Sequence, residues 1–249
     1  MPTDTPQPHL PWIQTQEELP PVEQAWGTGT EAPGLLAAGS DLSVSRLLEA
    51  YSKGVFPWFN PEQPVLWWSP DPRMVLEIAD FKLHRSLRKT LSRYAAHPQF
   101  ELCFDRAFDL VIEACAQSPR EGQKGTWIVP DMVKSYKALH QAGYAHSAET
   151  WLDGKLVAGL YFVAIGKAVF GESMFSTTTD GSKMALAALV NVCKSQQILA
   201  IDCQQNTPHL ASMGAREISR AIFLEKTRLA LTMAEPDWKH AQINWDAWR

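Results

Sequence analysis

A carboxylate and an amide, Asp202 and Gln204, stand at the end of the apolar run ILAI, which we predict to be a buried β-strand. Residues i and i+2 of a strand point to the same face, so the two side chains are expected to lie side by side. The carboxylate can then fix the amide, which offers its carbonyl to an amine or its NH₂ to an oxyanion. A purely structural hydrogen-bonded pair is the alternative.

A second candidate carboxylate is Glu172, in the segment FGESMF. A carboxyl group among such apolar neighbours is unfavourable unless it is paired, so Glu172 either belongs to a site or faces outward. The chain contains no GxSxG nucleophile motif and no HExxH zinc motif. His140 and His146 lie on either side of Gly143, which rules out a ligand pair on one helix face and favours structural roles for both.

Positive charge is concentrated in one segment, residues 81–93, which contains five Lys or Arg and no acidic residue. Because the whole chain has a net charge of −4, the remainder carries −9. The spacing of Leu83, Leu87 and Leu91 predicts an amphipathic helix. Its opposite face carries Arg85, Arg88, Lys89 and Arg93. Such a row is often only a solvated face, and the functional interpretation is a localised anionic partner.

The composition is that of a globular chain with a sizeable core, since 45% of the 249 residues are hydrophobic and 20% are charged. The apolar run at 157–165 falls far short of the roughly 20 residues of a membrane span. The first residues lack the pattern of a secretory signal, so we expect a cytoplasmic protein. The four cysteines show no CxxC spacing, which argues against a zinc ribbon or disulfides.

Three parts are predicted along the chain. Residues 1–33 hold seven of the 17 prolines and should form an extended arm anchored by Trp12 and Trp26. Residues 34–71 should form a small N-terminal domain, which contains a helix capped by Ser43. Residues 72–249 should form the catalytic domain.

Within this last part, the elements from the strand at 100–103 onward are predicted in the order β-α-α-β-β-β-α-β-α-β. Asp105 should cap the first helix, Pro130 should open the second, and residues 216–224 should form the final strand. This order resembles the GCN5-related N-acetyltransferase fold, an α/β fold around a mixed sheet. Acetyltransferases of that fold bind coenzyme A through a [RQ]xxGx[GA] loop, which the segment FSTTTDGSKMAL lacks, so a different acyl donor is expected.

Several longer sequence segments resemble a known protein family more specifically. They run from GLLAAGSDLSVSRLLEAYSKGVFPWF through LWWSPDPR, GTWIVPDMVKSYKALHQAGYAHSAETW and FGESMFS to IDCQ and HLASMGA. Over about residues 34–224 the chain resembles the leucyl/phenylalanyl-tRNA–protein transferase family. This implies ATP-independent transfer of Leu or Phe from Leu-tRNA or Phe-tRNA to proteins that begin with Arg or Lys, which marks them for N-end-rule degradation. Because the donor ester is already activated, the reaction requires no metal, cofactor or covalent nucleophile.

The resemblance also implies roles in the reaction for four residues. Asp202 and Gln204 match the catalytic pair of the family. Glu172 matches a glutamate that lines the pocket for the transferred amino acid and lies close to the reacting groups. Leu160 matches an apolar pocket residue, and such a pocket selects side chains by shape and by desolvation.

For the tRNA, the resemblance implies two kinds of contact. Trp58 and Trp127 match tryptophans at the site of the 3′-terminal adenosine, where stacking on indole tolerates any base. The basic positions that contact the tRNA body are matched by Arg85, Lys89 and Arg93. A further basic position of the family is Ser92 here, and its contact is expected to shift to Arg88. A coenzyme A-dependent N-acetyltransferase and a non-catalytic tRNA-binding module are the alternatives.

Overall fold

Two β-sheets organise the protein, whose computed structural model describes residues 8–118, 128–244 and 248. The first sheet has the strand order β1-β2-β4-β3. Its strands are β1 (Trp12–Ile13), β2 (Leu35–Gly39), β3 (Phe56–Pro57) and β4 (Val65–Trp68). Helix α1 (Val44–Ser52) begins after Ser43, whose hydroxyl accepts the Arg46 N–H as predicted.

The second sheet has the order β11-β5-β10-β9-β8-β7-β6. Its strands are β5 (Arg73–Glu77), β6 (Phe100–Phe104), β7 (Ala145–Leu152), β8 (Lys155–Ile165), β9 (Ala168–Ser176), β10 (Ala200–Gln204) and β11 (Arg216–Ile218). All neighbours are antiparallel except β9 and β10, which are parallel. The mixed α/β class predicted from the sequence is confirmed.

Helices cover both faces of this sheet. They are α2 (Arg85–Ala95), α3 (Phe108–Gln117), α4 (Pro130–Gln141), α5 (Gly181–Ser195), α6 (Pro208–Ser212) and α7 (Arg220–Leu231). Helices α1, α3 and α4 bury their apolar side chains on one face, and α2 and α5 do so on the other. Helix α5 joins the two parallel strands, as a parallel connection requires. No helix in the described ranges combines the length and apolar character needed to cross a bilayer.

The proline-rich arm is attached to the first sheet, because β1 pairs in parallel with β2. The buried guanidinium of Arg46 donates to three main-chain oxygens of the arm, those of Gln14, Thr15 and Glu17. The apolar anchors are Ile13, Leu19 and Val22, all buried. The anchoring role predicted for Trp12 is wrong, since its side chain is 52% exposed.

The predicted order of elements from Phe100 onward is confirmed, with two local corrections. The final strand stops at Ile218, and residues from Arg220 form α7, because Ser219 caps a helix and Phe223 and Thr227 recur at the helical i, i+4 spacing. Asp105 does not cap α3, because its carboxylate accepts instead from the Ser147 N–H at 2.8 Å.

Candidate functional site

A cavity of about 350 Å³ opens beside the parallel strands β9 and β10. Its apolar wall includes Leu160, Met174, Leu186, Leu189 and Ile201. The aromatic side chains of Phe56 and Trp58 line it from the first sheet, and Glu172, Gln204 and His209 supply polar groups. This volume and lining are typical of a small-molecule pocket with a few orienting polar groups.

Two β-bulges bring the polar side chains to the cavity. Glu172 is the extra residue of a bulge in β9, opposite Tyr161 and Phe162 of β8. Cys203 is the extra residue of a second bulge, in β10, directly before Gln204. A bulge locally re-aims side chains, and here both bulges fall on adjacent strands at the same cavity.

The Glu172 carboxylate is the centre of a hydrogen-bond network. It accepts from the Tyr51 hydroxyl at 2.7 Å and from the Tyr136 hydroxyl at 3.3 Å. The amide Nε2 of Gln204 donates to the same carboxylate at 2.9 Å. Because a carboxylate only accepts, this contact sets the orientation of the amide and turns the carbonyl oxygen of Gln204 away from Glu172.

Burial, together with the charge of Asp202, raises the pKa of Glu172 to about 7. The hydrogen bonds from Tyr51 and Tyr136 oppose this rise and favour the ionised form. Burial and the charge of Glu172 also raise the pKa values of both tyrosines well above the usual value. The tyrosines therefore stay protonated and act as donors to the carboxylate.

The expected placement of Asp202 and Gln204 on one face is wrong, because the bulge at Cys203 breaks the two-residue period. The Asp202 carboxylate is buried away from the cavity and accepts from Arg73 at 2.8 and 2.6 Å. It also accepts the backbone N–H of Gln204 at 2.9 Å, where the chain has a left-handed φ of 57°. Asp202 therefore holds the backbone of Gln204, while Glu172 holds its amide.

Arg73 is a site residue that sequence analysis missed. Its side chain is fully buried, donates to the Gly54 carbonyl at 3.2 Å, and lies between the rings of Phe56 and Phe223 at 4.8 and 4.6 Å. The close approach of α7 also explains why residue 54 is a glycine. Gly54 has a φ of 71°, and a Cβ at this position would lie 2.4 Å from Leu224. The sequence contained a signal for this role of Arg73. An arginine at the start of the apolar run RMVL is expected to be buried with a partner.

Of the other predicted pocket residues, Leu160 is 3% exposed and lines the apolar wall. Trp58 is half-buried, lines the cavity, and packs edge-on against Trp68 with ring centroids 5.5 Å apart. Trp127 lies outside the described residues. Trp67, which precedes Trp68 in the chain, is 1% exposed and packs in the core.

The basic helix α2 is amphipathic as predicted, with Leu87 and Leu91 buried. Its four basic side chains are exposed, and within the described ranges none of them forms an ion pair: Arg85, Arg88, Lys89 and Arg93. The His84 ring bonds to the Ser212 carbonyl at 2.7 Å, so α2 is attached to α6 at the rim of the cavity.

At the N-terminus of α5, where acetyltransferases cradle pyrophosphate, the structure places the carboxylate of Asp180. It accepts from Lys183 at 2.8 Å and from Thr90 at 3.3 Å. A carboxylate at this point repels pyrophosphate, in agreement with the missing coenzyme A loop.

The tertiary structure brings His140 and His146 together with Asp105, with potential ligand atoms within 4.8 Å of one another. Each histidine is hydrogen-bonded: His140 to the Ala145 carbonyl at 2.7 Å, and His146 to Asp105 at 2.7 Å. These bonds connect the end of α4 and the start of β7 to the loop that precedes α3.

The mixed sheet and the cavity beside its parallel strands define an α/β protein with a pocket of small-molecule size. The model of the leucyl/phenylalanyl-tRNA protein transferase family matches residues 75–228, and the model of its N-terminal domain matches residues 40–71. The chain belongs to the leucyl/phenylalanyl-tRNA protein transferase family.

Similar proteins have the same family name. The leucyl/phenylalanyl-tRNA–protein transferase of Polaromonas sp. is 58% identical over 95% of this chain and 92% of its own. The one from Albidiferax ferrireducens is 54% identical over 96% of this chain and 94% of its own. Among solved structures, a GCN5-related N-acetyltransferase-like protein from Streptococcus suis aligns with a TM-score of 0.35 and 15% identity, over 74% of this chain and 67% of that one.

Proposed function

We propose that the protein transfers Leu or Phe from aminoacyl-tRNA to the α-amino group of proteins whose first residue is Arg or Lys. The observation that carries this function is the Gln204 amide, fixed by Glu172 at 2.9 Å beside an apolar cavity. An ester aminolysis needs this arrangement, because it requires an oriented amine and a pocket for the apolar side chain rather than a nucleophilic residue.

The donor binds with its amino-acid side chain against the apolar wall at Leu160. Its terminal adenosine stacks on Trp58 and Trp127, and stacking contributes about 1–3 kcal/mol for any base. The tRNA body contacts α2. This arrangement is supported by the position of Trp58 in the cavity wall and by the attachment of α2 to α6.

In the reaction, the lone pair of the acceptor amine attacks the ester carbonyl. An N–C bond forms, the C–O bond to the ribose breaks, and the 3′ oxygen leaves with a proton. The Gln204 carbonyl accepts a hydrogen bond from the amine and orients it, while Asp202 acts as a positioning residue through the backbone. We propose that neither a metal nor a cofactor takes part, since the ester supplies the activation.

Acceptors with basic N-termini suit the charge of this chain, which is −9 outside the basic segment. Residues 1–33 form an arm, 34–71 a small N-terminal domain and 72–249 the catalytic domain in this proposal. The modified proteins are then degraded by the N-end rule. The protein acts in the cytoplasm, because its donor, aminoacyl-tRNA, is cytoplasmic.

The deciding experiment incubates the purified protein with labelled Phe-tRNA and a pair of peptides that differ only in a first residue of Arg or Ser. Label is expected on the Arg peptide alone. A parallel incubation with labelled acetyl-coenzyme A should leave both peptides unlabelled. Binding of Phe-tRNA without any transfer would instead indicate a non-catalytic tRNA-binding module.

The rate of the chemical step should rise with pH through about 7. The pKa of Glu172 is raised to about 7 by burial, so the carboxylate that fixes Gln204 predominates only above that pH. Glu172→Gln should lose this inflection and keep the one at about 8 that belongs to the acceptor amine. The measurement is a single-turnover pH profile at saturating substrates, with Glu101→Gln at an exposed carboxylate as the control. An inflection near 7 that survives in Glu172→Gln would assign it to another group.

Removing three charges from α2 should reduce the salt dependence of tRNA binding. In the Arg85→Ala/Arg88→Ala/Lys89→Ala variant, the slope of log affinity against log salt should flatten by roughly 2–3 units, because each charge neutralises about one phosphate. The buried leucines are unchanged, so the fold should persist. Transfer from aminoacyl-adenosine, which lacks the tRNA body, should proceed at the normal rate.

The matched control for this variant neutralises three exposed cations elsewhere, Lys155, Lys194 and Arg228. It changes the net charge equally, and its salt slope should equal that of the wild type. If both triple variants show the wild-type slope, α2 is only a solvated face.

A further inference from the structure

His209 is a cavity residue that the reaction described above does not use. It lies at the start of α6 and lines the cavity together with Gln204. Its Nε2 is buried and has no hydrogen-bond partner among the residues that the structure describes. A buried ring nitrogen without a protein partner is unfavourable, so it needs a hydrogen bond from a water or a ligand in the cavity.

Aminolysis needs a group that carries one proton from the attacking amine to the departing 3′ oxygen. The attacking amine must lose a proton as the N–C bond forms, and Gln204 cannot take it because a neutral amide is a poor base. The described residues that line the cavity offer few titratable groups: Tyr161, Glu172, Cys203 and His209.

The first three of these groups are unsuited to the task. Glu172 already accepts from two tyrosines and from Gln204, and it must keep those bonds to orient the amide. Burial and the charge of Asp202 raise the pKa of Cys203 to about 12, so it remains a thiol. Tyr161 is a phenol, which is protonated near neutral pH. His209 alone has a basic nitrogen.

The environment of His209 favours the neutral imidazole. Burial lowers its pKa, and the charge of Lys183 lowers it further. Lys183 lies one turn before Leu186 on α5, and Leu186 lines the same cavity, so the ammonium is on the cavity side of the helix. The imidazole therefore holds an unprotonated nitrogen at neutral pH.

We propose that His209 Nε2 accepts the proton that the attacking amine releases and returns it to the departing 3′ oxygen. The N–C bond forms as the proton moves to the imidazole, and the C–O bond breaks as the imidazolium protonates the leaving oxygen, so His209 ends unchanged. The proton on the resting ring is then on Nδ1. This inference rests on the proposed function and adds a proton acceptor to the same site.

The position of α6 supports this role. The His84 ring bonds to the Ser212 carbonyl at 2.7 Å, and the Lys82 N–H donates to the Met213 carbonyl at 2.9 Å. Both contacts attach α6 to the segment that leads into the basic helix. A tRNA bound on α2 therefore also fixes the element that carries His209.

The test compares His209→Ala and His209→Gln in single-turnover transfer from Phe-tRNA to an Arg-starting peptide. Both variants should lose about 10²-fold in rate and keep wild-type affinity for a non-reactive aminoacyl-adenosine amide. Glutamine can hydrogen-bond but cannot carry a proton, so it should not restore the rate. Imidazole added to the buffer should restore His209→Ala in proportion to its concentration, which a structural role would not permit. The control is His240→Ala, at an exposed histidine paired with Asp237.

The outcomes separate this inference from the proposed function. If the wild type transfers no Phe, the proposed function fails. If the wild type is active and His209→Gln retains its rate, or imidazole leaves His209→Ala unchanged, the proton-transfer role of His209 is wrong while the function persists. Should His209→Ala not fold, the rate of His209→Gln decides the question.

Discussion

Replacing Gln204 by alanine is expected to lower the single-turnover rate of transfer by about 10²–10³-fold, the effect of losing one oriented hydrogen-bonding group at a reacting centre. The donor affinity should stay close to that of the wild type, because the apolar wall and Trp58 are intact. The rate is measured by quench-flow with saturating acceptor, and the affinity with a non-reactive aminoacyl-adenosine analogue.

A double variant tests how Glu172 acts. If Glu172 works by orienting the Gln204 amide, then Glu172→Gln/Gln204→Ala should be little slower than Gln204→Ala alone. Multiplication of the two separate losses would instead show that Glu172 contacts the reacting groups itself. The control is Gln196→Ala, an exposed glutamine at the end of α5, which should transfer at the wild-type rate.

The second large effect concerns stability. Asp202→Ala leaves the guanidinium of Arg73 buried without its carboxylate, and we expect the free energy of unfolding to fall by about 3–5 kcal/mol. Replacing both partners, in Arg73→Met/Asp202→Leu, should recover most of that loss because neither charge remains buried. Urea denaturation measures both variants.

The same double variant should nevertheless transfer slowly, because the backbone N–H of Gln204 has lost its acceptor at 2.9 Å. Stability would thus return without activity, which separates the positioning role of Asp202 from its ion pair. For comparison, Asp80→Ala breaks the exposed pair with Arg216 and should change the unfolding free energy by less than about 1 kcal/mol. A fast Arg73→Met/Asp202→Leu variant would contradict the role given to Asp202.

Local patterns in the sequence were sufficient for most elements of the second sheet. The helical spacing of Leu87 and Leu91, the Pro130 start of α4 and the strands 145–176 are all confirmed. Each depends on contacts within a few residues of chain, where side-chain period and capping chemistry act directly. Residues 216–224 were predicted less well, because the segment REISRAIFL contains both a strand pattern and the start of a capped helix.

The phrases around the site also point to Glu172, Gln204 and Leu160 from the sequence alone, and all three line one cavity. The missing coenzyme A loop was enough to favour an acyl donor other than coenzyme A. These patterns determine which types of residue occur at each position along the chain.

Only the tertiary structure decided which partner each polar group has. Two bulges interrupt the two-residue period, so Asp202 turns to Arg73, 129 residues away, and Gln204 turns to Glu172. His209 likewise joins the cavity only because the chain turns back after β10. Such pairings come from burial, since a desolvated charge or amide must find a partner across the fold, and no local period encodes where that partner lies.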